Sequence, residues 1–190
     1  MKLRSYQLGQ RQVAVDRTRA AILSTAREML ASGNGLSISV GAVARRAGVS
    51  RLTIYNRFGS RAGLLQAVLD SARASTPAPS AEAIGDPRAR LRQRIAESCA
   101  RWASDPLLFR RLPEVGLVES QPFDSDRALV EELAAADELR PGCSLKEAED
   151  VIGTLTSFPT FDRLHKDGRR SATAVAEILL RLAGAILVTA

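Results

Sequence analysis

Three serines, Ser39, Ser50 and Ser60, each stand directly before a short segment whose apolar residues recur three or four places apart. A serine at such a place is a favoured helix N-cap, because its hydroxyl accepts a hydrogen bond from an otherwise unsatisfied amide of the first turn. Between the first two segments lies Ala47-Gly48, and glycine readily takes the left-handed conformation that closes a helix. Val49, just before the second cap, and Ile54, four residues into the following segment, are spaced for a hydrophobic staple. Two short helices joined by a tight glycine turn and followed by a longer one, carrying Leu64, Leu65, Val68 and Leu69, make a helix-turn-helix arrangement.

The same punctuation extends along the chain. A first helix is expected from Asp16, with Ile22, Leu23, Ala26, Met29 and Leu30 on one stripe, stopped at Ser32-Gly33-Asn34-Gly35. Residues 1–15 are basic without a helical period and read as a flexible arm. Ser75 to Ser80 reads as a linker by its prolines and serines, and it separates a domain over 16–75, through a linker over 76–85, from a second domain over 86–190. In that second part Asp86-Pro87 and Asp105-Pro106 each supply a cap and a first-turn proline. The stretch from Pro113 to Pro122 reads as irregular or briefly helical. Asp124 is expected to cap a helix through Leu139, ended by Pro141-Gly142, and Ser144 with Glu147 has the spacing of a capping box. Pro159 is expected to kink or break the helix that follows, and Ser171 to open the last one, through Ile186. No segment alternates with period two, so the fold is predicted to be all-α, with about nine helices.

The charge is unevenly placed. The chain of 190 residues carries a formal net charge of +6, yet residues 1–75 hold 12 Lys and Arg against 3 Asp and Glu, and residues 76–190 hold 15 against 18. No acidic residue falls between Glu28 and Asp70, where Arg45, Arg46, Arg51, Arg57 and Arg61 all lie. A basic surface confined to one domain suits a polyanion. Two cysteines, Cys99 and Cys143, cannot build a disulfide framework, and no Cys/His spacing offers a metal site, so no metal or cofactor is expected and a reducing cytoplasm is. Neither a signal peptide nor a membrane span is legible. Without a phosphate-binding glycine loop, a metal cluster or a nucleophile elbow, an enzyme is not expected.

On a helical wheel Ile54 and Phe58 share the buried face of the second short helix, while Leu52, Thr53 and Asn56 point the opposite way, flanked by Tyr55 and Arg57. Asn can pair with adenine, Thr can bond a base edge, and Leu can pack on a thymine methyl group in a DNA major groove. Tyr55, Arg57, Ser39, Ser50 and Arg61 are suited to phosphates, which fix the position of the helix without reading sequence, and Arg51 is a further candidate for DNA contact. A solvated surface helix with scattered arginines, or a basic module docking an acidic protein, would show part of the same pattern. The caps, the glycine turn and the acid-free window together favour DNA.

Residues 19–65 resemble the DNA-binding domain of the TetR family of transcriptional regulators. The resemblance is carried by Ala47-Gly48-Val49-Ser50-Arg51-Leu52-Thr53-Ile54-Tyr55-Asn56-Arg57-Phe58-Gly59-Ser60-Arg61-Ala62-Gly63-Leu64. The family's usual lysine is Arg61 here, its usual acid is Ala62, and its polar residues ahead of the turn are Gly41 and Ala42. A glycine inside a helix costs about 1 kcal/mol relative to alanine. The resemblance implies a sequence-specific regulator, most often a repressor released from a palindromic operator by a small apolar effector. It also implies a second domain that binds this effector and forms a homodimer through its last two helices. On that basis Val151, Leu155, Ile178, Leu182 and Ile186 are candidates for the dimer interface, with ordinary core the competing reading. Cys99, Trp102, Phe109, Phe123, Phe158 and Phe161 are candidates for a pocket, with Arg101 and His165 as possible additions, and these too read equally as core.

Overall fold

The computed structural model describes the backbone of residues 3–32, 38–74, 85–116 and 123–188, and their side chains except those of 3–12, 73–74 and 123–125. Among these residues the regular structure is helical, and the one piece of β pairing is an isolated antiparallel bridge between Leu139 and Leu187. It forms two compact units, one of residues 1–74 with 110–118 and the other of 75–109 with 119–190.

The first unit contains α1 (Leu3–Ala31), α2 (Val40–Arg46), α3 (Arg51–Phe58) and α4 (Arg61–Ala74). Helix α1 packs on α2 and α4, and α3 packs on α2 and α4, around Ile22, Leu30, Val43, Ile54, Leu64 and Leu65. Serines cap the short helices as their positions predict. Ser39 Oγ accepts the Ala42 amide at 3.1 Å, Ser50 Oγ the Thr53 amide at 3.0 Å, and Ser60 Oγ the Gly63 amide at 3.0 Å.

Helix α1 starts at Leu3, so residues 3–15, expected as an irregular arm, are helical. They hold no proline and consist mainly of Leu, Arg, Gln and Ala, all good helix formers. Propensity sustains the backbone there without the apolar stripe that periodicity detects.

The junction of α3 and α4 leaves no room for a side chain at Gly63. A Cβ on that residue would lie 2.0 Å from the Phe58 carbonyl oxygen, which already accepts the Ser60 amide at 2.8 Å. The obstacle is backbone, so α3 would have to shift.

The second unit contains α5 (Pro87–Ser104), α6 (Pro106–Arg111), α7 (Phe123–Ala135), α8 (Leu145–Leu155), α9 (Phe158–Asp162) and α10 (Ala172–Ala183). Helix α5 lies against α7, α9 and α10, while α8 lies against α7, α9 and α10. Four arginines of α5 are matched by acids. Arg94 makes a two-pronged bond with the buried Asp126 at 2.8 and 3.3 Å and also reaches Ser98 at 2.7 Å, and Arg90 pairs with Glu132. Arg88 pairs with Glu138, and Arg92 with Asp86 at 3.3 Å. No helix among the described residues is long and apolar enough to cross a membrane.

Further boundaries differ from the sequence expectation. Helix α7 begins at Phe123, so Asp124, expected as its cap, lies within its first turn. Helix α7 ends at Ala135 and not near Leu139, because Asp137 takes a left-handed conformation, φ 54°. The Asp137 amide bonds the Ala134 carbonyl at 3.1 Å, and the Glu138 amide bonds that of Leu133 at 2.9 Å, which completes a Schellman ending with Asp in the place of glycine. The break near Pro159 falls at Thr156-Ser157, where Ser157 caps α9 and the proline occupies its first turn. There the missing amide costs nothing. Most of the expected linker over 76–85 lies outside the described residues.

Replacing Gly63 by alanine is expected to destabilise the protein by roughly 1–3 kcal/mol, the usual cost of forcing atoms into a filled space. A thermal melt reads this directly, and an unchanged midpoint would show that the junction yields freely.

Candidate nucleic-acid interface

The surface of α3 is set by the turn that precedes it. Gly48 has φ 67°; its amide bonds the Arg45 carbonyl at 3.4 Å, and the next amide, Val49, bonds the Ala44 carbonyl at 2.9 Å. This pair of bonds is a Schellman ending for α2. Ser50 follows immediately as the cap of α3, so one helix stops and the next begins with no slack residue between them. Ile54 is fully buried, and Phe58, half-buried, has the Arg19 guanidinium of α1 over its ring at 5.1 Å. With this face held inward, Leu52 is 67% exposed, Tyr55 48% exposed, and Asn56 is exposed as well.

The residues expected to contact phosphate divide into two groups. Ser39 and Ser50 use their hydroxyls as caps, and Thr53 Oγ1 lies 2.8 Å from Ser50 Oγ, which ties the Thr53 side chain to its own helix start. Arg57 donates to the Val15 carbonyl of α1 at 3.0 Å, and Arg61 donates through Nε to the Ile38 carbonyl just before α2 at 2.8 Å. Both guanidiniums therefore brace α3 and the entry to α2, and their remaining N–H groups are what a phosphate could use. Arg46 reaches back to Glu28 at 3.5 Å between two exposed side chains. By contrast Arg51 is exposed and has no hydrogen-bond or ion-pair partner among the described residues. Helix periodicity gives the faces of α3 but no sign of these braces, because their acceptors are backbone carbonyls far away in sequence.

In the second unit the expected pocket residues pack on one another. Trp102 meets Phe109 edge-on at 4.8 Å and Phe158 at 5.6 Å, and the two phenyl rings lie 5.8 Å apart. The Trp102 indole N–H donates to the Thr156 carbonyl at 2.9 Å, and the Arg101 guanidinium lies 5.2 Å from the indole. Phe161 is buried and stacks on His165 at 4.9 Å, while His165 Nδ1 lies 2.6 Å from the Arg170 carbonyl and fastens the turn after α9. Cys99 is buried, and desolvation pushes its thiol up to about 11, so at neutral pH it is an unreactive thiol. The Phe123 side chain lies outside the described residues. Trp102, Phe109 and Phe161 are buried and Phe158 is half-buried.

The candidate interface residues separate by burial. Leu182 on α10 is 52% exposed, and Val151 and Ile178 are half-buried, whereas Leu155 and Ile186 are already covered by the chain's own packing. An open groove of about 510 Å³ runs along α8, lined by Ser144, Lys146, Glu147, Asp150, Val151, Thr154 and Leu155.

The first unit combines a capped helix-turn-helix, an exposed face on α3 and an arginine-rich surround, the arrangement of a DNA-binding helix-turn-helix. Residues 22–68 match the family model described as bacterial regulatory proteins, tetR family. Over 48 residues, 25% of this chain, it is 48% identical to the HTH-type transcriptional regulator AlkX of Mycobacterium tuberculosis (strain ATCC 25618 / H37Rv), and the match spans 23% of that protein's length. Among solved structures it resembles full-length native TylP, a TetR regulator from Streptomyces fradiae, with a TM-score of 0.64 and 20% identity over 92% of this chain and 88% of that one. It also resembles a protein from Shewanella sp. PV-4 assigned to the TetR family transcription regulators, with a TM-score of 0.61 and 19% identity over 90% of this chain and 99% of the other. At such identities the structural likeness is one of fold. Residues 22–68 thus match the tetR family of bacterial regulatory proteins, and beyond them the likeness is one of fold.

Proposed function

We propose that this protein is a sequence-specific DNA-binding regulator of transcription, acting in the cytoplasm as a homodimer and most often as a repressor that a small apolar effector releases from a palindromic operator. The observation that carries the reading is the outward face of α3. Leu52, Tyr55 and Asn56 are exposed opposite a buried Ile54, in a stretch of chain without a single acid. Asn56 is suited to pair with an adenine edge and Leu52 to pack on a thymine methyl group. Tyr55 and Arg51 stand beside them for the phosphates.

A dimer is supported by apolar side chains left uncovered on α8 and α10, Leu182 above all, with Val151 and Ile178 beside it. Two copies related by a twofold axis would present their α3 helices to successive major grooves, about 34–36 Å apart. Release by an effector follows from linkage. A ligand shifts the protein between DNA-competent and incompetent forms by no more than its difference in affinity for the two, and about 5.5 kcal/mol takes the population from almost all bound to almost all free. Catalysis has no part in this reading.

Binding to a duplex from the protein's own upstream region, followed by fluorescence anisotropy over excess random DNA, tests the DNA contacts. Asn56→Ala is expected to weaken binding roughly 5- to 150-fold, the worth of one good base pairing, and Tyr55→Ala to weaken it as well, with helical content unchanged and two chains bound per palindrome. Wild-type affinity in either variant would remove that residue from the interface, and equal affinity for random DNA would remove sequence specificity. A reporter driven from the same region tests the direction of control. Its output is expected to rise when the protein is deleted and, with the protein present, to rise on adding the effector; a fall on deletion would identify an activator.

A further inference from the structure

Gly41 is the second residue of α2 and is buried there. A Cβ placed on it would lie 2.8 Å from both Nε and Nη2 of Arg51 and 3.0 Å from its Cζ. Real Cβ atoms essentially never come closer than 3.0 Å, so a residue other than glycine at this position moves the guanidinium. The obstructing group is the far end of a flexible side chain, and moving it costs the fold little. What changes is the position of a charge. Arg51 opens α3 and turns its guanidinium back over α2, beside the face that carries Leu52 and Asn56 and not across it. That guanidinium has no hydrogen-bond or ion-pair partner among the described residues, so its place is set by shape, against bare backbone. Glycine weakens a helix through the backbone entropy it loses. α2, only seven residues long, carries that weakness where it gains a seat for Arg51.

We propose that Gly41 is a positioning residue for DNA: the absence of its side chain holds the Arg51 guanidinium where it takes a backbone phosphate through its planar fork. A phosphate, and not a base, fits an arginine that lies beside the reading face, and the fork matches two phosphate oxygens at once. The inference rests on the DNA-binding reading above and adds a residue to it that cannot itself touch DNA through a side chain.

The test compares the full-length wild type with Gly41→Ala, Arg51→Ala, the double variant and Asn56→Ala, by anisotropy on the upstream duplex across a salt series, with a thermal melt of each. Arg51→Ala is expected to weaken binding about tenfold or more and to flatten the salt dependence by about one ion. Gly41→Ala is expected to melt at or above the wild-type temperature, since alanine is the better helix former, yet to bind about three- to tenfold more weakly. The double variant is expected to bind no worse than Arg51→Ala alone. Wild-type affinity in Gly41→Ala, or a loss that simply multiplies with that of Arg51→Ala, overturns the seat. If Gly41→Ala melts below wild type, Arg51→Lys decides, since it keeps Gly41 and the charge but not the fork. It is expected to bind several-fold more weakly with the salt slope retained, and full affinity overturns the proposal. Loss of binding in Asn56→Ala with none in Gly41→Ala defeats the seat alone, whereas a wild type without specific binding defeats both readings.

Discussion

The recognition surface depends on how α2 is stopped. Gly48 in its left-handed conformation lets two successive amides return to the last carbonyls of α2, and Ser50, two residues on, accepts the Thr53 amide in the first turn of α3. Several of the polar backbone groups that these helix ends would leave orphaned thus have partners supplied within a few residues. Because the turn has no spare length, the rotation of α3 about its own axis is fixed by the burial of Ile54. That rotation is what turns Leu52, Tyr55 and Asn56 outward. A residue unable to adopt positive φ at position 48 would disturb the facing of α3 before it touched any contact to a partner.

Charge is used in opposite ways by the two units. In the second, Arg88, Arg90, Arg92 and Arg94 of α5 are each paired with an acid, the buried Asp126 among them, so that these four charges are balanced within its own structure. A buried pair of this kind is held by good geometry, with Arg94 bonding both carboxylate oxygens and Ser98 as well. In the first unit the acid-free window holds five arginines, of which Arg46 reaches back to Glu28. Two of them, Arg57 and Arg61, instead use backbone carbonyls to brace α3 and the start of α2. Neutral acceptors leave the positive charge uncancelled, so the bracing and the attraction to an anion coexist on the same side chains.

The serine caps and those of Asp86 and Asp105 were legible in the sequence because each demands one residue type at one place, whereas Asp124, expected as a cap, lies inside α7. The two faces of α3 followed from the spacing of Ile54 and Phe58 alone. Illegible features share a different origin. The start of α1 is carried by propensity spread over many residues and leaves no apolar stripe to count. The end of α7 uses Asp137 where glycine is the usual residue, and Leu139, which continues the apolar spacing of Leu133, pairs across the chain with Leu187. Gly41 reads in the sequence as a weakness in a helix. Only the position of the Arg51 guanidinium gives it a reason. The aromatic residues of the second unit could be core or pocket by composition; Trp102, Phe109 and Phe158 lie against one another.

The central claim is that DNA is met by the outward face of α3 as this turn presents it. An amide chemical-shift titration of the full chain with the upstream duplex locates the contact residue by residue. Shifts concentrated at Ser39 and across Ser50 to Asn56, with the buried side of α3 and the helices of the second unit little changed, are the predicted result. Shifts centred on α8 and α10, or a titration that leaves Ser50 to Asn56 unmoved while the duplex binds, would contradict it.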